Sequence, residues 1–193
     1  MKNVRLVVGL GNPEGKYFAT YHNVGFVAAD VLATKMDATF KKNGNQMLCD
    51  FQVDDDKVIL LKPLTYMNLS GQAVVAVARK YKIAPENIIV IADDLYIDKG
   101  NIRISFGGSG GGHNGTRSIT ELLGSNKYTR VKIGIKPIKA PHSTADYVLK
   151  KIDAESKPLI DEATQKAVEA VMMLLGGEAI AKVQNIYNTR QDV

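Results

Sequence analysis

The chain has 193 residues, of which 45% are hydrophobic, and this suits one domain with a sizeable core rather than two domains. No apolar run approaches the length of a membrane span, and the single cysteine, Cys49, excludes an internal disulfide and a metal site built on several thiolates. The first apolar run ends at Gly-Asn-Pro with no cleavage site after it, so we expect a cytoplasmic protein.

The predicted secondary structure alternates between strands and helices. The apolar run over 4–10 is almost unbroken, as in a strand buried on both faces, and Asn23 can cap the helix that follows. In chain order we predict a strand over 4–10, a helix over 23–36, a hairpin over 50–53 and 57–61 with an acidic turn at 54–56, a helix over 69–81 and a strand over 88–92.

The second half of the chain continues this pattern. Ile102 and Ile104 face one side of a predicted strand, whereas Arg103 faces the other. The elements predicted here are strands over 102–106 and 131–135, a helix over 114–123 that ends at Gly124, a helix over 156–175 and a shorter helix that ends at Tyr187. Together they predict an α/β fold, a single domain over 1–193 with a twisted, mixed but mainly parallel sheet and helices on both faces.

Basic residues are concentrated between Asp98 and Ala140. This segment holds eight of them against two acidic residues, a local charge of +6, whereas the whole chain carries +5. A solvated face is the simple explanation, but such a concentration favours a polyanionic partner. Arg103 and Lys132 lie on the polar faces of two predicted strands, where they can line one surface together.

Familiar nucleotide-binding and catalytic motifs do not fit. The dinucleotide fingerprint begins correctly at Gly9 and Gly11 but has Glu14 in place of its third glycine, and a Walker A loop fails around 15–16. No Gly-x-Ser-x-Gly elbow is present, and the three histidines lack the spacings of a zinc site. We therefore expect neither a metal nor a cofactor.

Short polar clusters remain, each at the end of a predicted strand or the start of a predicted helix. They are Gly11-Asn12-Pro13 with Tyr17, Tyr21-His22-Asn23, Thr65-Tyr66-Met67-Asn68, Ala92-Asp93-Asp94 and Gly112-His113-Asn114-Gly115. In an open α/β sheet the carboxyl ends of strands and the starts of helices converge on one crevice, so these clusters can meet. Together they offer a titratable base, an acidic partner and several neutral carboxamides.

Four stretches of the chain also carry a family resemblance. They are VGLGNPEGKYFATYHNVGF (8–26), KPLTYMNLSGQAV (62–74), IIVIADDLYIDKG (88–100) and GGSGGGHNGTRSI (107–119). In order and spacing they resemble the bacterial-type peptidyl-tRNA hydrolases over nearly the whole chain. The resemblance implies a monomeric enzyme that hydrolyses the ester bond between tRNA and a peptide or N-blocked amino acid, and so recycles tRNA.

The resemblance implies roles for individual residues. His22 is similar to the family's catalytic base and Asp93 to the carboxylate that supports it, whereas the sequence alone leaves Asp94 as an alternative. Asn12 resembles the asparagine that contacts the peptide part and selects blocked over free aminoacyl groups. The other implied contacts are Asn68 and Asn114 near the scissile ester, Tyr17 and Tyr66 at the tRNA 3′ end, Met67 as an apolar wall, and His113 beside the cleft.

Structural explanations compete with several of these roles. Asn68 and Asn114 also suit helix caps, and the tyrosines suit the boundary between core and solvent. Two other functions stay open. An RNA-binding module would keep the basic segment without needing His22 and Asp93, and a small-molecule carboxylesterase or peptidase would not need the basic segment.

The basic clamp that the family uses for the tRNA 5′ phosphate is altered here. Ser105 stands where the family commonly has a lysine. The residues expected to compensate are Arg103, Arg130 and Lys132. The resemblance also implies that the loop over 136–143 acts as a lid and that the helix beginning at 156 flanks the substrate channel.

The implied chemistry needs no cofactor. Ester hydrolysis requires a water molecule made nucleophilic and a stabilised oxyanion. A histidine, whose ordinary pKa is about 6.5, can take the proton of the water. An aspartate bonded to the other ring nitrogen fixes the tautomer and stabilises the imidazolium that forms.

Overall fold

The computed structural model describes residues 3–188 and contains one seven-stranded sheet. The strands are β1 (Val4–Gly9), β2 (Lys41–Asn43), β3 (Gln46–Val53), β4 (Asp56–Pro63), β5 (Ile88–Asp94), β6 (Ile102–Phe106) and β7 (Thr129–Gly134). Their order across the sheet is β2-β3-β4-β1-β5-β7-β6. The four central strands are parallel, and β2, β3 and β6 join antiparallel at the two edges.

Helices cover both faces of this sheet. They are α1 (Val24–Lys35), α2 (Ser70–Tyr81), α3 (Asn114–Leu123), α4 (Thr144–Val148), α5 (Lys157–Leu175) and α6 (Ile180–Tyr187). One core layer joins α1 and α5 to the sheet, and the other joins α2 and α3 to it. No helix in the described part of the chain is long and apolar enough to cross a membrane. The predicted mixed α/β fold is confirmed.

Strand β1 lies at the centre of the sheet and explains the almost unbroken apolar run at the start of the sequence. Val7 is buried in the layer of α1 and α5, whereas Leu6 and Val8 are buried in the layer of α2 and α3. Successive side chains of a strand point to opposite faces, and here both faces are covered. Burial on both sides accounts for the apolar residues, and the one charged residue of β1, Arg5, is only partly buried and donates to the carbonyl oxygen of Leu174.

The structure differs from the predicted elements in several places. Strand β2 and the short helix α4 were not predicted. The turn of the β3–β4 hairpin is shorter than the predicted turn over 54–56, because Asp56 already pairs with Val53. Strand β5 continues through Asp93 and Asp94, which were placed after it. The prediction that Asn23 caps α1 was wrong, because its side chain makes no capping bond. The single-domain prediction for 1–193 includes ends outside the described residues and stays a prediction.

Close packing of α1 against the strand ends brings the polar clusters together. A Cβ atom at Gly25 would lie 2.5 Å from the carbonyl oxygen of Leu10 and 2.5 Å from that of Ile91. Only a residue without a side chain permits this approach. The first turn of α1 therefore touches the carboxyl ends of β1 and β5, and the residues just before it lie over those ends.

Candidate active site

The polar clusters predicted from the sequence meet at the carboxyl ends of β1 and β5. Asn12 follows β1, Asp93 lies near the end of β5, and His22 lies in a short 3-10 turn immediately before α1. Met67 begins a second 3-10 turn after β4, and His113 is the N-cap of α3. All of these except His113 are classed as buried. The convergence expected for an open α/β sheet is present.

His22 and Asp93 form the central pair of the site. Nδ1 of His22 lies 2.8 Å from Oδ1 of Asp93, and the two residues are 8% and 4% exposed. A carboxylate can only accept, so the shared proton belongs to Nδ1 of His22. The Nε2 atom of a neutral His22 is then an acceptor, which is the state that a general base requires.

The Asp93 carboxylate is stabilised as an anion in spite of its burial. Burial by itself disfavours the charged form and would raise the pKa of Asp93. Electrostatic attraction to His113 and His22, together with the hydrogen bonds from both rings, outweighs this effect and holds the pKa of Asp93 well below its usual range. The site therefore presents a fixed negative charge to its histidines at neutral pH.

His113 contacts the same carboxylate from the other side. Its Nε2 lies 3.0 Å from Oδ1 of Asp93, and its ring centroid is 4.9 Å from that of His22. Its Nδ1 accepts from the backbone N–H groups of Gly115 at 3.1 Å and Thr116 at 3.3 Å. The N-cap of α3 is thus His113 and not Asn114, which is the first residue of the helix.

Asn12 is held by a pair of hydrogen bonds that the sequence did not predict. The side chain of Asn23 accepts from the Asn12 backbone N–H at 2.8 Å and donates to the Asn12 carbonyl oxygen at 2.9 Å. The backbone N–H of Met67 donates to Oδ1 of Asn12 at 3.1 Å. Because a backbone N–H can only donate, this bond fixes the orientation of the Asn12 amide. Its Nδ2 atom is left as a donor for other groups.

A cavity of about 230 Å³ opens beside the His22–Asp93 pair. It is mixed in character, because polar groups from β5 and the start of α3 face apolar side chains from α4 and the segment after β5. The residues that line it are His22, Asp93, Asp94, Leu95, Tyr96, Gly111, Gly112, His113, Asn114, Thr144, Ala145 and Val148. Such a cavity has room for a small part of a substrate next to the base.

The remaining predicted contacts are partly or fully exposed, and Asn114 is the one among them that lines the cavity. Tyr66 is 56% exposed, and Tyr17 is partly exposed with the Lys16 ammonium 4.9 Å from its ring centroid. Asn68 is exposed in the turn that begins at Met67, and it does not line the cavity. Asn114 is exposed at the cavity edge, and its Oδ1 accepts from Arg117 at 2.9 Å.

The three basic residues predicted for a phosphate clamp differ in exposure. Arg103 is exposed on the edge strand β6 and pairs across the sheet with Lys132. The Lys132 ammonium lies 3.1 Å from Oδ2 of Asp94. Arg130 is only 2% exposed, and its guanidinium donates to the carbonyl oxygens of Gly108 and Ser109. This position does not suit the phosphate contact expected of Arg130, because the side chain is buried and both terminal nitrogens donate to the glycine loop.

Within residues 3–188, one group has ligand atoms close enough together to hold a metal ion. It consists of His22, Asp93 and His113, whose ligand atoms all lie within 4.8 Å of one another. Both imidazole nitrogens that face Asp93 are engaged in hydrogen bonds to its Oδ1. An ion would have to displace both N–H protons before it could bind there.

Two features of the site were missed in the sequence, and each left a weak signal. Asn23 was assigned to a cap, but an asparagine next to a predicted catalytic histidine is equally able to bind a neighbouring backbone segment. His113 follows glycines and precedes a helix, which is the position of an N-cap. The hydrogen bond between His113 and Asp93 joins residues that are 20 positions apart, so no local sequence pattern indicates it.

The chain is similar to known proteins along nearly its whole length. A family model described as "Peptidyl-tRNA hydrolase" matches residues 6–193. A peptidyl-tRNA hydrolase of Desulforamulus reducens is 44% identical over 169 residues, which cover 87% of this chain and 81% of that protein. One of Agathobacter rectalis is 41% identical over 185 residues, covering 95% and 99%. The crystal structure of peptidyl-tRNA hydrolase from Acinetobacter baumannii matches with a TM-score of 0.88 at 36% identity, covering 96% of this chain and 94% of that one.

Proposed function

The chain belongs to the peptidyl-tRNA hydrolase family and hydrolyses the ester bond of peptidyl-tRNA, and we propose that His22 is the general base of this reaction with Asp93 as its partner. The observation that carries the assignment is the 2.8 Å bond between Nδ1 of His22 and Oδ1 of Asp93. These residues are 71 positions apart in the sequence, and the fold buries them together at the edge of a cavity.

The proposed reaction uses one water molecule. Nε2 of His22 takes a proton from the water as its oxygen attacks the acyl carbon of the ester. The anion of Asp93 stabilises the imidazolium that forms. The tetrahedral intermediate then collapses, and the ribose oxygen leaves with the proton from Nε2, so that a peptide acid and tRNA are released. A positioned base of this kind contributes roughly 10²–10⁴-fold to the rate.

Substrate selection is assigned to the amides around the pair. Asn12 offers its Nδ2 as a donor, which suits the carbonyl oxygen of a peptide group. We assign Asn68 and Asn114 to contacts near the ester and Met67 to an apolar wall beside it. Tyr66 is exposed and Tyr17 partly exposed, so that their rings can stack on the bases of the tRNA 3′ end.

The tRNA backbone is assigned to the basic surface on β6 and β7. Arg103 is exposed there, and Lys132 lies beside it in the cross-strand register. Ser105, on the same strand as Arg103, has a buried hydroxyl without a hydrogen-bond partner in the part of the chain that the structure describes. The clamp therefore rests on Arg103 and Lys132, with Arg130 supporting the loop above them.

We further propose a monomer that works in the cytoplasm without a metal, and a lid formed by the loop over 136–143. Activity lost after EDTA treatment and restored by zinc would contradict the metal-free assignment. The lid assignment predicts that amides in this loop exchange with solvent faster than those of β7 and slow down when tRNA is added. Equally slow exchange in free protein would contradict it.

The test of the proposed function is an assay of purified protein on matched substrates. We expect rapid hydrolysis of N-acetylaminoacyl-tRNA and little hydrolysis of the same tRNA with a free α-amino group, because Asn12 is placed to bind an amide. Similar rates on both substrates would contradict the assignment of Asn12. No hydrolysis of the blocked substrate would contradict the proposed function itself.

A further inference from the structure

Both ring nitrogens of His113 are engaged in hydrogen bonds. Nδ1 faces the first turn of α3 and receives two backbone N–H groups, from Gly115 and Thr116. Nε2 faces Oδ1 of Asp93 at 3.0 Å. No ring nitrogen is left to hydrogen-bond a substrate, so the polar contact implied for His113 by family resemblance has no available nitrogen on this ring.

The partners of His113 determine where its proton lies. A backbone N–H can only donate, so Nδ1 is unprotonated. A neutral imidazole then carries its proton on Nε2, where it is donated to the carboxylate of Asp93. The start of α3 supports this state for two reasons. Protonation of Nδ1 would place its N–H against the two backbone N–H groups that it now accepts from. It would also place a positive charge at the positive end of the helix dipole.

We propose that His113 is a positioning residue for Asp93, a neutral imidazole locked by the start of α3 that donates to the carboxylate oxygen used by His22. The inference rests on the proposed function, since it assigns Asp93 to the support of the His22 base. Oδ1 of Asp93 lies 2.8 Å from one imidazole and 3.0 Å from the other. Two donors from different elements hold this oxygen in place before any substrate binds.

This arrangement divides the negative charge of Oδ1 between two donors. Oδ1 of Asp93 accepts a hydrogen bond from His113 as well as one from His22. Its interaction with His22 is therefore weaker than it would be if His22 were the sole donor. The neighbouring charged groups have other partners. Asp94 of β5 is bound to Lys132 of β7, and Arg117 of α3 donates to Asn114. His113 is therefore the group that shares Oδ1 of Asp93 with His22.

The test uses two substitutions that separate the helix cap from the bond to Asp93. In His113→Asn the shorter side chain can still accept from the first turn of α3, since asparagine is a good N-cap, but it cannot also reach Asp93. In His113→Ala both the cap and the bond are removed. Thr116→Val serves as a control, because it removes a hydroxyl bound to the Gly110 and His113 carbonyls without changing the ring.

We expect His113→Asn to lower kcat by about 10–100-fold and to change KM little. This magnitude corresponds to the loss of one hydrogen bond to a charged group. The acid limb of the pH profile should move upward by roughly half a pH unit or more, because Asp93 then stabilises protonated His22 alone. His113→Ala should show the same shift together with a lower urea midpoint, whereas Thr116→Val should leave the acid limb in place.

Two results would overturn the inference. The first is a rise in KM at unchanged kcat, which would make His113 a substrate contact. The second is an unmoved acid limb in both His113 variants. Wild-type protein is assayed in parallel on N-acetylaminoacyl-tRNA, so that an inactive wild type would count against the proposed function and not against this inference alone.

The tautomer can also be measured directly in the unaltered protein. Histidine labelled with ¹⁵N gives imidazole spectra that distinguish Nδ1–H from Nε2–H, and the chain has only three histidines. We expect His113 as the Nε2–H form and His22 as the Nδ1–H form at neutral pH. An Nδ1–H form of His113 would overturn the inference.

Discussion

Adjacent carboxylates at the end of β5 have different partners. Asp93 accepts from His22 and His113, whereas Asp94 is bound to Lys132 at 3.1 Å and to the backbone N–H of Tyr96 at 2.8 Å. Neighbouring residues of a strand point to opposite sides, so only one of the two can face the histidines. The sequence left both as candidates, and the geometry now favours Asp93 for the proposed role.

This difference leads to a paired prediction. Asp93→Asn keeps the shape of the side chain but removes the negative charge, and we expect kcat to fall roughly 10²–10⁴-fold, the range of a positioned base. The matched variant Asp94→Asn should retain most of kcat and lose substrate affinity instead, because its carboxylate orders Lys132. Steady-state hydrolysis of N-acetylaminoacyl-tRNA measures both. Equal losses of kcat in the two variants would contradict the assignment.

At the scale of secondary structure, α5 is joined to the turn that carries His22. Asp153 accepts from the backbone N–H of Ser156 at 2.7 Å and from the hydroxyl of Tyr21 at 2.9 Å. Tyr21 also stacks on Tyr147 of α4 with ring centroids 5.0 Å apart. One carboxylate thus bonds both the start of the longest helix and the residue before His22.

These bonds give stability a specific pH dependence. The backbone and side chain of Ser156 and the Tyr21 hydroxyl lower the pKa of Asp153 from 3.8 to about 2. A carboxyl group whose pKa is lower in the folded state stabilises it above pH 4, and this contribution disappears as the pH falls toward 2. We expect Asp153→Asn to have a lower urea midpoint than wild type at pH 7 and a similar one near pH 2. A constant difference between these pH values would contradict the prediction.

The hydrophobic pattern was sufficient to predict most of the elements. The boundaries of α2, α3, α5 and β6 agree with prediction within a residue, because each shows a clear periodicity. In α3, α5 and β6 a glycine also follows the last residue. Strand β2 was missed because its three residues, over 41–43, are all exposed. Helix α4 was missed because its five residues are too few to show a period. Neither has enough buried surface to leave a pattern.

The candidate site was predictable only as a set of residues. The family resemblance assigned His22 and Asp93, and the structure places them 2.8 Å apart. The partners of Asn12 and the cap formed by His113 depend on which backbone groups lie within hydrogen-bond distance, and that follows from tertiary packing. Composition likewise could not show that Arg130 is buried, because a basic segment does not specify which of its residues face solvent.

On the scale of the whole molecule, the basic surface and the proposed catalytic pair, His22 and Asp93, lie at the same end of the sheet. Strand β7 pairs with β5, which carries Asp93, and also with β6, which carries Arg103. A tRNA held by phosphate contacts on β6 and β7 therefore lies beside the cavity next to His22. Binding and hydrolysis can be separated experimentally, because the basic residues do not contact the pair.

Salt dependence tests this surface. We expect Arg103→Glu to weaken tRNA binding and to reduce the slope of log Kd against log salt concentration by about 0.7–0.9 for each phosphate that the protein no longer neutralises. The matched control is Lys42→Glu, at an exposed position on β2 and at the opposite edge of the sheet, which should leave the slope unchanged. Filter binding of deacylated tRNA over a salt series measures the effect. A wild-type slope in Arg103→Glu would place the tRNA surface elsewhere.

The paired bonds between Asn23 and the backbone of Asn12 have a consequence for the affinity of the enzyme. An unsupported loop would lose conformational freedom each time a substrate bound, and that entropy would be subtracted from the binding free energy. Here the Asn23 amide bonds both the N–H and the carbonyl oxygen of Asn12, as the backbone of a paired strand would. These bonds hold the Asn12 backbone in place once the chain has folded. If Asn12 binds the peptide as proposed, this entropy is lost once, during folding, and each successive peptide meets a donor that is already aligned.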